Sequence, residues 1–229
     1  MKIDELQRLA MVIGEDKINK LKDCHVAVFG VGGVGGHLCE ALARSGVGHI
    51  DIFDNDVVSP SNLNRQIIAL HSTIGQKKVD IMRERLLDIN PELDIKAYDV
   101  FYSADNADLF PLEKYDYIAD AIDSLPSKLE LIRRAKECGT EIISSMGTGN
   151  KLDPSRLEIS DISKTEYCPL AKSVRISLRK MGINHLTVVF SKEKPIKTGE
   201  RTPGSTAFVP ASAGLLMASK IIRDVIEKQ

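Results

Sequence analysis

From Leu21 to Ser145 the chain alternates short β-rich apolar runs with stretches of helical periodicity, the pattern of a parallel α/β sheet. The runs His25–Gly30 (HVAVFG), His49–Asp54 (HIDIFD), Asp94–Asp99, Tyr115–Asp120 and Glu141–Ser145 predict strands. Helices are predicted between them over Val34–Ser45, Lys77–Asn90 and Lys128–Cys138; Pro91 closes the second and Gly139 caps the third. After Ser145 the rhythm changes. A Gly-rich turn (MGTGN) leads to a strand at Leu157–Asp161, a helix over Pro169–Met181 and a strand at Leu186–Ser191. A polar loop and a last helix, from about Ala213 to Glu227, complete the pattern. No linker divides the chain, so the expectation is one domain over residues 1–229: a core (1–150) whose mainly parallel, twisted sheet is extended by the later strands (151–229), with helices on both faces.

Composition adds boundaries. Apolar content of 43% and charged content of 28% are those of a globular protein. No run of about 18 uncharged apolar residues suits a membrane span, and MKIDELQRLA lacks the apolar region of a secretory signal, so the expected compartment is the cytoplasm. Cys24, Cys39, Cys138 and Cys168 form no C-x-x-C pair, which argues against a zinc ribbon. The net charge of −1 hides an asymmetry: Ile162–Ser205 holds nine basic against three acidic residues, the footprint of a polyanion partner.

The candidate chemistry begins at Gly30–Gly36 (GVGGVGG), which follows a strand and opens a helix. Gly30 permits a tight turn, and Gly32, Gly33 and Gly35 let backbone N–H groups approach phosphate at a helix N-terminus, as in Rossmann-like folds. The loop alone suits a dinucleotide enzyme equally well. The end of the second strand favours a triphosphate. Asp54-Asn55-Asp56 is followed by Ser61-Asn62-Leu63-Asn64-Arg65-Gln66 and then Lys78. Asp54 can hold ribose hydroxyls, while Arg65 and Lys78 can neutralise charge on a departing pyrophosphate. Asp120 and Asp123, in DAIDS, stand where a Mg²⁺ bridging phosphates needs a carboxylate.

Together VFGVGGVG, DIFDND, SNLNRQ, GQKK and DAID resemble the ThiF/HesA/MoeB adenylating enzymes, relatives of ubiquitin-activating enzymes. The resemblance implies ATP and Mg²⁺ as cofactors, Asp54 on the ribose, and Asp56, Asn62, Arg65, Gln66 and Lys78 around the nucleotide. It implies Asp123 on the metal, with Asp120 also counted among the cofactor-binding residues. Arg8 matches an arginine that reaches into a partner subunit's site, which implies a homodimer. Within the superfamily the chain most resembles the tRNA threonylcarbamoyladenosine dehydratases, through NRQI-x-AL, DAIDS, GNKLDP, DISKT and TPGS-x-AFVP. That branch adenylates a threonine carboxylate beside the tRNA anticodon and closes it into a ring. The alternative is an activator of a ubiquitin-like sulfur-carrier protein. A cysteine-desulfurase or sulfur-acceptor partner also stays open.

The basic segment is expected to meet tRNA. Lys172, Arg175 and Arg179 share one helix face, opposite Val174, Leu178 and Met181. The loop Lys192–Gly204 is expected to order as a phosphate clamp when tRNA binds. Cys168, just before Pro169 at a helix start, is either a nucleophile favoured by the helix N-terminus or a small buried side chain at a turn.

Overall fold

A computed structural model of the protein describes Met1 and residues 3–227. Among the described residues there are seven strands: β1 (His25–Phe29), β2 (His49–Phe53), β3 (Asp94–Tyr98), β4 (Tyr117–Asp120), β5 (Glu141–Ser145), β6 (Leu157–Asp161) and β7 (Thr187–Ser191). They form one sheet in the order β3-β2-β1-β4-β5-β7-β6. Every pairing is parallel except that of β6 with β7. The later strands therefore continue the first sheet, with β7 parallel to β5 at Ile143–Ser145.

The central strands read as continuous apolar runs because both of their faces are covered. On one face α3 (Gly35–Arg44), α4 (Lys78–Ile89) and α7 (Phe208–Glu227) bury Leu38, Leu42, Met82, Leu86, Met217 and Ile221. On the other, α5 (Leu125–Cys138) and α6 (Pro169–Lys180) bury Leu131, Ile132, Val174 and Leu178 against Phe29 and Phe190. Each such side chain contributes about 2 kcal/mol of transfer free energy. Two short helices, α1 (Gln7–Ile13) and α2 (Glu15–Asp23), precede the sheet. Among the described residues no helix is long and apolar enough to cross a membrane.

Two helices begin earlier than their sequence pattern suggests, for one reason. α5 starts at Leu125, with Pro126 in its first turn, and α7 starts at Phe208, with Pro210 in its first turn. A first-turn N–H has no intrahelical partner, so proline costs nothing there. Strand β4 starts late, at Tyr117, because Tyr115 ends a 3₁₀ turn, its N–H bonded to the Leu112 carbonyl. Met181 lies beyond α6 and is exposed, so it does not share the buried face of Val174 and Leu178.

The strand order turns outward in opposite directions from β1 and β4. Such a switch point leaves a crevice at the C-terminal ends of the two strands.

Candidate active site

The crevice is framed by the turn that leaves β1. Gly30 has φ +91°, and a Cβ there would lie 2.7 Å from the Ala121 carbonyl oxygen. The Gly30 N–H donates to the Phe53 carbonyl and the Ala121 N–H to the Phe29 carbonyl, each at 2.8 Å. The glycine turn is thereby fastened to the ends of β2 and β4. The Val31 N–H donates to Asp54 Oδ2 (2.7 Å) and the Asp56 N–H to Asp54 Oδ1 (2.9 Å), fixing the carboxylate just past β2. Burial pushes the Asp54 carboxyl above its ordinary range against the opposing pull of Lys78 and these two N–H groups.

A cavity of about 360 Å³ opens here. Its walls include Gly30, Gly32 and Gly33 of the turn, together with Asp54, Asp56, Asn62, Arg65, Gln66, Lys78 and Asp123. Lys78, the first residue of α4, is 4% exposed and sets its Nζ 2.7 Å from Asp56 Oδ2. Asn62 Oδ1 accepts the Ser59 N–H at 3.0 Å, closing the turn that presents Arg65. The Arg65 guanidinium donates to the Ser61 carbonyl (2.8 Å) and Asn64 Oδ1 (3.0 Å), and Asn64 Nδ2 donates to the Ser205 carbonyl (2.9 Å). Gln66 is buried, and its Oε1 has no hydrogen-bond partner among the described residues, the condition of a group awaiting a ligand. The lining carries both cationic groups (Arg65, Lys78) and carboxylates (Asp54, Asp56, Asp123), the set that a nucleoside phosphate with a cation requires.

Four sequence-predicted residues lie elsewhere. Gly35 does not face the cavity: a Cβ there would fall 1.8 Å from the Gly30 carbonyl oxygen, so its glycine lets α3 rest on the turn. Asp120 is fully buried and does not line the cavity. Its Oδ2 accepts from Lys128 Nζ (2.7 Å) and the Ser144 hydroxyl (2.5 Å), and its Oδ1 accepts the Ile122 N–H (3.1 Å). It anchors the turn that carries Asp123 to the cavity. Cys168 is 5% exposed and caps α6, its Sγ accepting the Ala171 N–H at 3.4 Å. Arg8 is exposed on α1, outside its own chain's cavity.

The basic segment is also more committed than its spacing suggests. Arg175 NH1 donates to Thr165 Oγ1 (2.5 Å) and the Thr165 carbonyl (2.9 Å), stapling the turn before α6 instead of standing free beside Lys172. The Lys192–Gly204 loop is pinned to Asn150, which bonds Gly204 in both directions and accepts the Ile196 N–H at 2.8 Å.

Sequence reasoning missed Val100, Phe101 and Tyr102 beyond β3, Thr148 in the Gly-rich turn, and Ser205 and Pro210 before and within α7, all of which line the cavity. The apolar VFY run at the C-terminal end of a strand was the available signal. Among the described residues no group of three His, Cys, Asp or Glu could hold a metal. Mg²⁺ commonly uses one or two carboxylates with phosphate oxygens and water, a need that Asp123 fits.

The sequence profile of the ThiF family matches residues 6–229. A tRNA threonylcarbamoyladenosine dehydratase of Bacillus subtilis is 42% identical, covering 98% of this chain and 96% of its own. The crystal structure of E. coli tRNA N6-threonylcarbamoyladenosine dehydratase in complex with ATP superposes with a TM-score of 0.92 at 32% identity. It covers 98% of this chain and 94% of that one, and its AMP complex gives 0.93 over the same shares. The adenylyltransferase and sulfurtransferase UBA4 of Eremothecium gossypii is 37% identical, but over 66% of this chain and 35% of its own.

Proposed function

The chain belongs to the ThiF family, and from that premise we propose that it is an ATP-dependent tRNA threonylcarbamoyladenosine dehydratase. Asp54 accepts the ribose hydroxyls, and the glycine turn offers its N–H groups to phosphate. The threonyl carboxylate attacks the α-phosphorus, forming an O–P bond as the bond to pyrophosphate breaks. Arg65 and Lys78 stabilise the charge that builds on that leaving group, with Asn62 and Gln66 completing the polar wall. The neighbouring ureido oxygen then attacks the acyl carbon, the acyl–phosphate bond breaks, and the ureido nitrogen gives up its proton. One carboxylate oxygen departs on AMP, so the nucleoside loses the elements of water.

Asp123, exposed on the cavity wall, would hold Mg²⁺, which would supply charge neutralisation to the phosphates. Cys168 is buried as a helix cap, which supports ring closure directly from the adenylate over transfer to a thiol. Arg8 stands on α1 beside Met11 and Val12, 75% and 81% exposed. We assign this face to a homodimer in which Arg8 serves the partner's cavity. Residues 1–229 act as one catalytic domain, in the cytoplasm where tRNA is found.

The observation that carries this reading is one cavity uniting the glycine turn, Asp54, Arg65, Lys78 and Asp123, in a chain that matches a dehydratase end to end. The test supplies ATP with tRNA bearing the open threonylcarbamoyl group and follows AMP release and the mass of the nucleoside. AMP formed together with the cyclic product supports the proposal. AMP formed only when a ubiquitin-like carrier protein is added would replace it with the activator reading.

A further inference from the structure

The nucleotide cavity leaves unexplained a second feature on the same side of the sheet, at the C-terminal ends of its parallel strands, where the turn before α6 meets the residues after β7. Tyr167 has φ +53°, a left-handed conformation that suits Gly or Asn and that a bulky aromatic seldom adopts. Core packing does not account for its ring, which is 48% exposed. Lys194 Nζ lies over one face of the ring, 5.2 Å from its centroid and within cation–π range, so a stacked group would use the other face. The ring borders an open cavity of about 710 Å³ whose walls also include Arg156, Lys192 and Lys194. Two of that cavity's acids are engaged: Glu193 accepts the N–H groups of Leu152 and Asp153, and Glu158 pairs with Lys192 at 2.6 Å. Glu166 remains exposed on the rim.

The feature adjoins the active site. Cys168, the next residue, places its Sγ 4.0 Å from the Gly147 carbonyl oxygen, and Thr148 lines the nucleotide cavity. Along the sheet, β4 and β6 are three strand spacings apart, about 14 Å. An RNA whose threonyl carboxylate reaches the nucleotide cavity has Tyr167 within about two to three nucleotide lengths along this side of the sheet.

We infer that Tyr167 is a stacking platform for an unpaired nucleobase flanking the modified nucleotide, with Lys194 supplying positive charge for the adjoining phosphate; this rests on the tRNA reading above. An exposed aromatic ring beside a lysine, on a segment with a surplus of positive charge, is how single-stranded nucleic acid is held without sequence readout. Backbone strain of this kind clusters at functional sites.

The test uses the full chain and an anticodon stem-loop RNA carrying 2-aminopurine in its loop. Tyr167→Phe keeps the ring, while Tyr167→Asn removes it and suits the left-handed backbone. Tyr167→Phe is expected to bind and quench the probe like the parent. Tyr167→Asn is expected to bind between about fivefold and a hundredfold more weakly, the worth of one base-on-aromatic stack, and to lose the quench. Its melting temperature should equal or exceed the parent's and its AMP affinity should match. Stem-loop binding by Tyr167→Asn within about twofold of the parent would overturn the platform while leaving the tRNA reading intact. Failure of the parent itself to bind the stem-loop would overturn both.

Discussion

Lys128 offers the sharpest test of how the site is held. Its side chain and that of Asp120 are 0% exposed, and Nζ spends its three protons on Asp120 Oδ2 (2.7 Å), Ser144 Oγ (3.1 Å) and the Ser145 carbonyl (3.1 Å). Lys128→Met keeps the length of the stem and removes the charge. Asp120 would retain only the Ser144 hydroxyl and the Ile122 N–H, so a carboxylate would be stranded in the interior. Breaking one side of a buried pair costs about 3–5 kcal/mol. A stranded carboxylate escapes by binding a proton, so the loss should shrink as pH falls, by up to about 1.4 kcal/mol per unit. The double variant Lys128→Met/Asp120→Asn has no charge to strand and should recover most of the loss. Asn still offers an acceptor to Ile122, so nucleotide affinity should recover with it. Denaturant unfolding at pH 7 and 5 measures the stabilities, and AMP titration the affinity. A Lys128→Met loss below about 1 kcal/mol at pH 7, or a double variant no better than the single one, would refute the reasoning.

Other outcomes follow from the same geometry. Burial raises the Asp54 carboxyl, and a ribose-binding carboxylate must be ionised; AMP affinity should therefore start to fall on acidification above the usual Asp range, about pH 4. Calorimetric titration across pH should show this fall, and Asp54→Asn should bind weakly with a flat profile. Midway along β2, burial opposes ionisation of Asp51, but hydrogen bonds from His25, Tyr115 and Lys114 outweigh it and bring the carboxyl down to about 2. A depressed carboxyl stabilises the fold above the unfolded value and loses that contribution as pH falls toward 2. Asp51→Asn should thus cost about 2 kcal/mol at pH 7 by denaturant unfolding and progressively less below pH 4. Cys168→Ala should lose the α6 cap, about 1 kcal/mol, yet still form the cyclic nucleoside by mass analysis. Loss of cyclisation with adenylation intact would restore a covalent role to the thiol.

The polar lining of the cavity was legible because it is written in contiguous tokens, each in one loop at the C-terminal end of neighbouring strands. GVGGVGG, Asp54–Asp56, Asn62–Gln66 and Lys78 needed only the switch point between β1 and β4 to meet. Asp120 and Asp123 looked alike because burial is not printed in DAIDS. β4 is covered on both faces, so its last residue is swallowed, whereas Asp123 lies beyond the strand and emerges at the cavity. What distinguishes them is Lys128, eight residues on, at a helix whose true start was masked by Pro126. Masking by Pro210 likewise hid the end of α7 that completes the cavity. In the basic helix the spacing of Lys172, Arg175 and Arg179 correctly names a shared face, but spacing cannot reveal that Arg175 is spent on Thr165. The boundary of sequence reading thus lies at side chains that act on a partner distant in the chain. Those partners decide which of two equivalent-looking carboxylates faces the cavity and which holds the backbone beneath it.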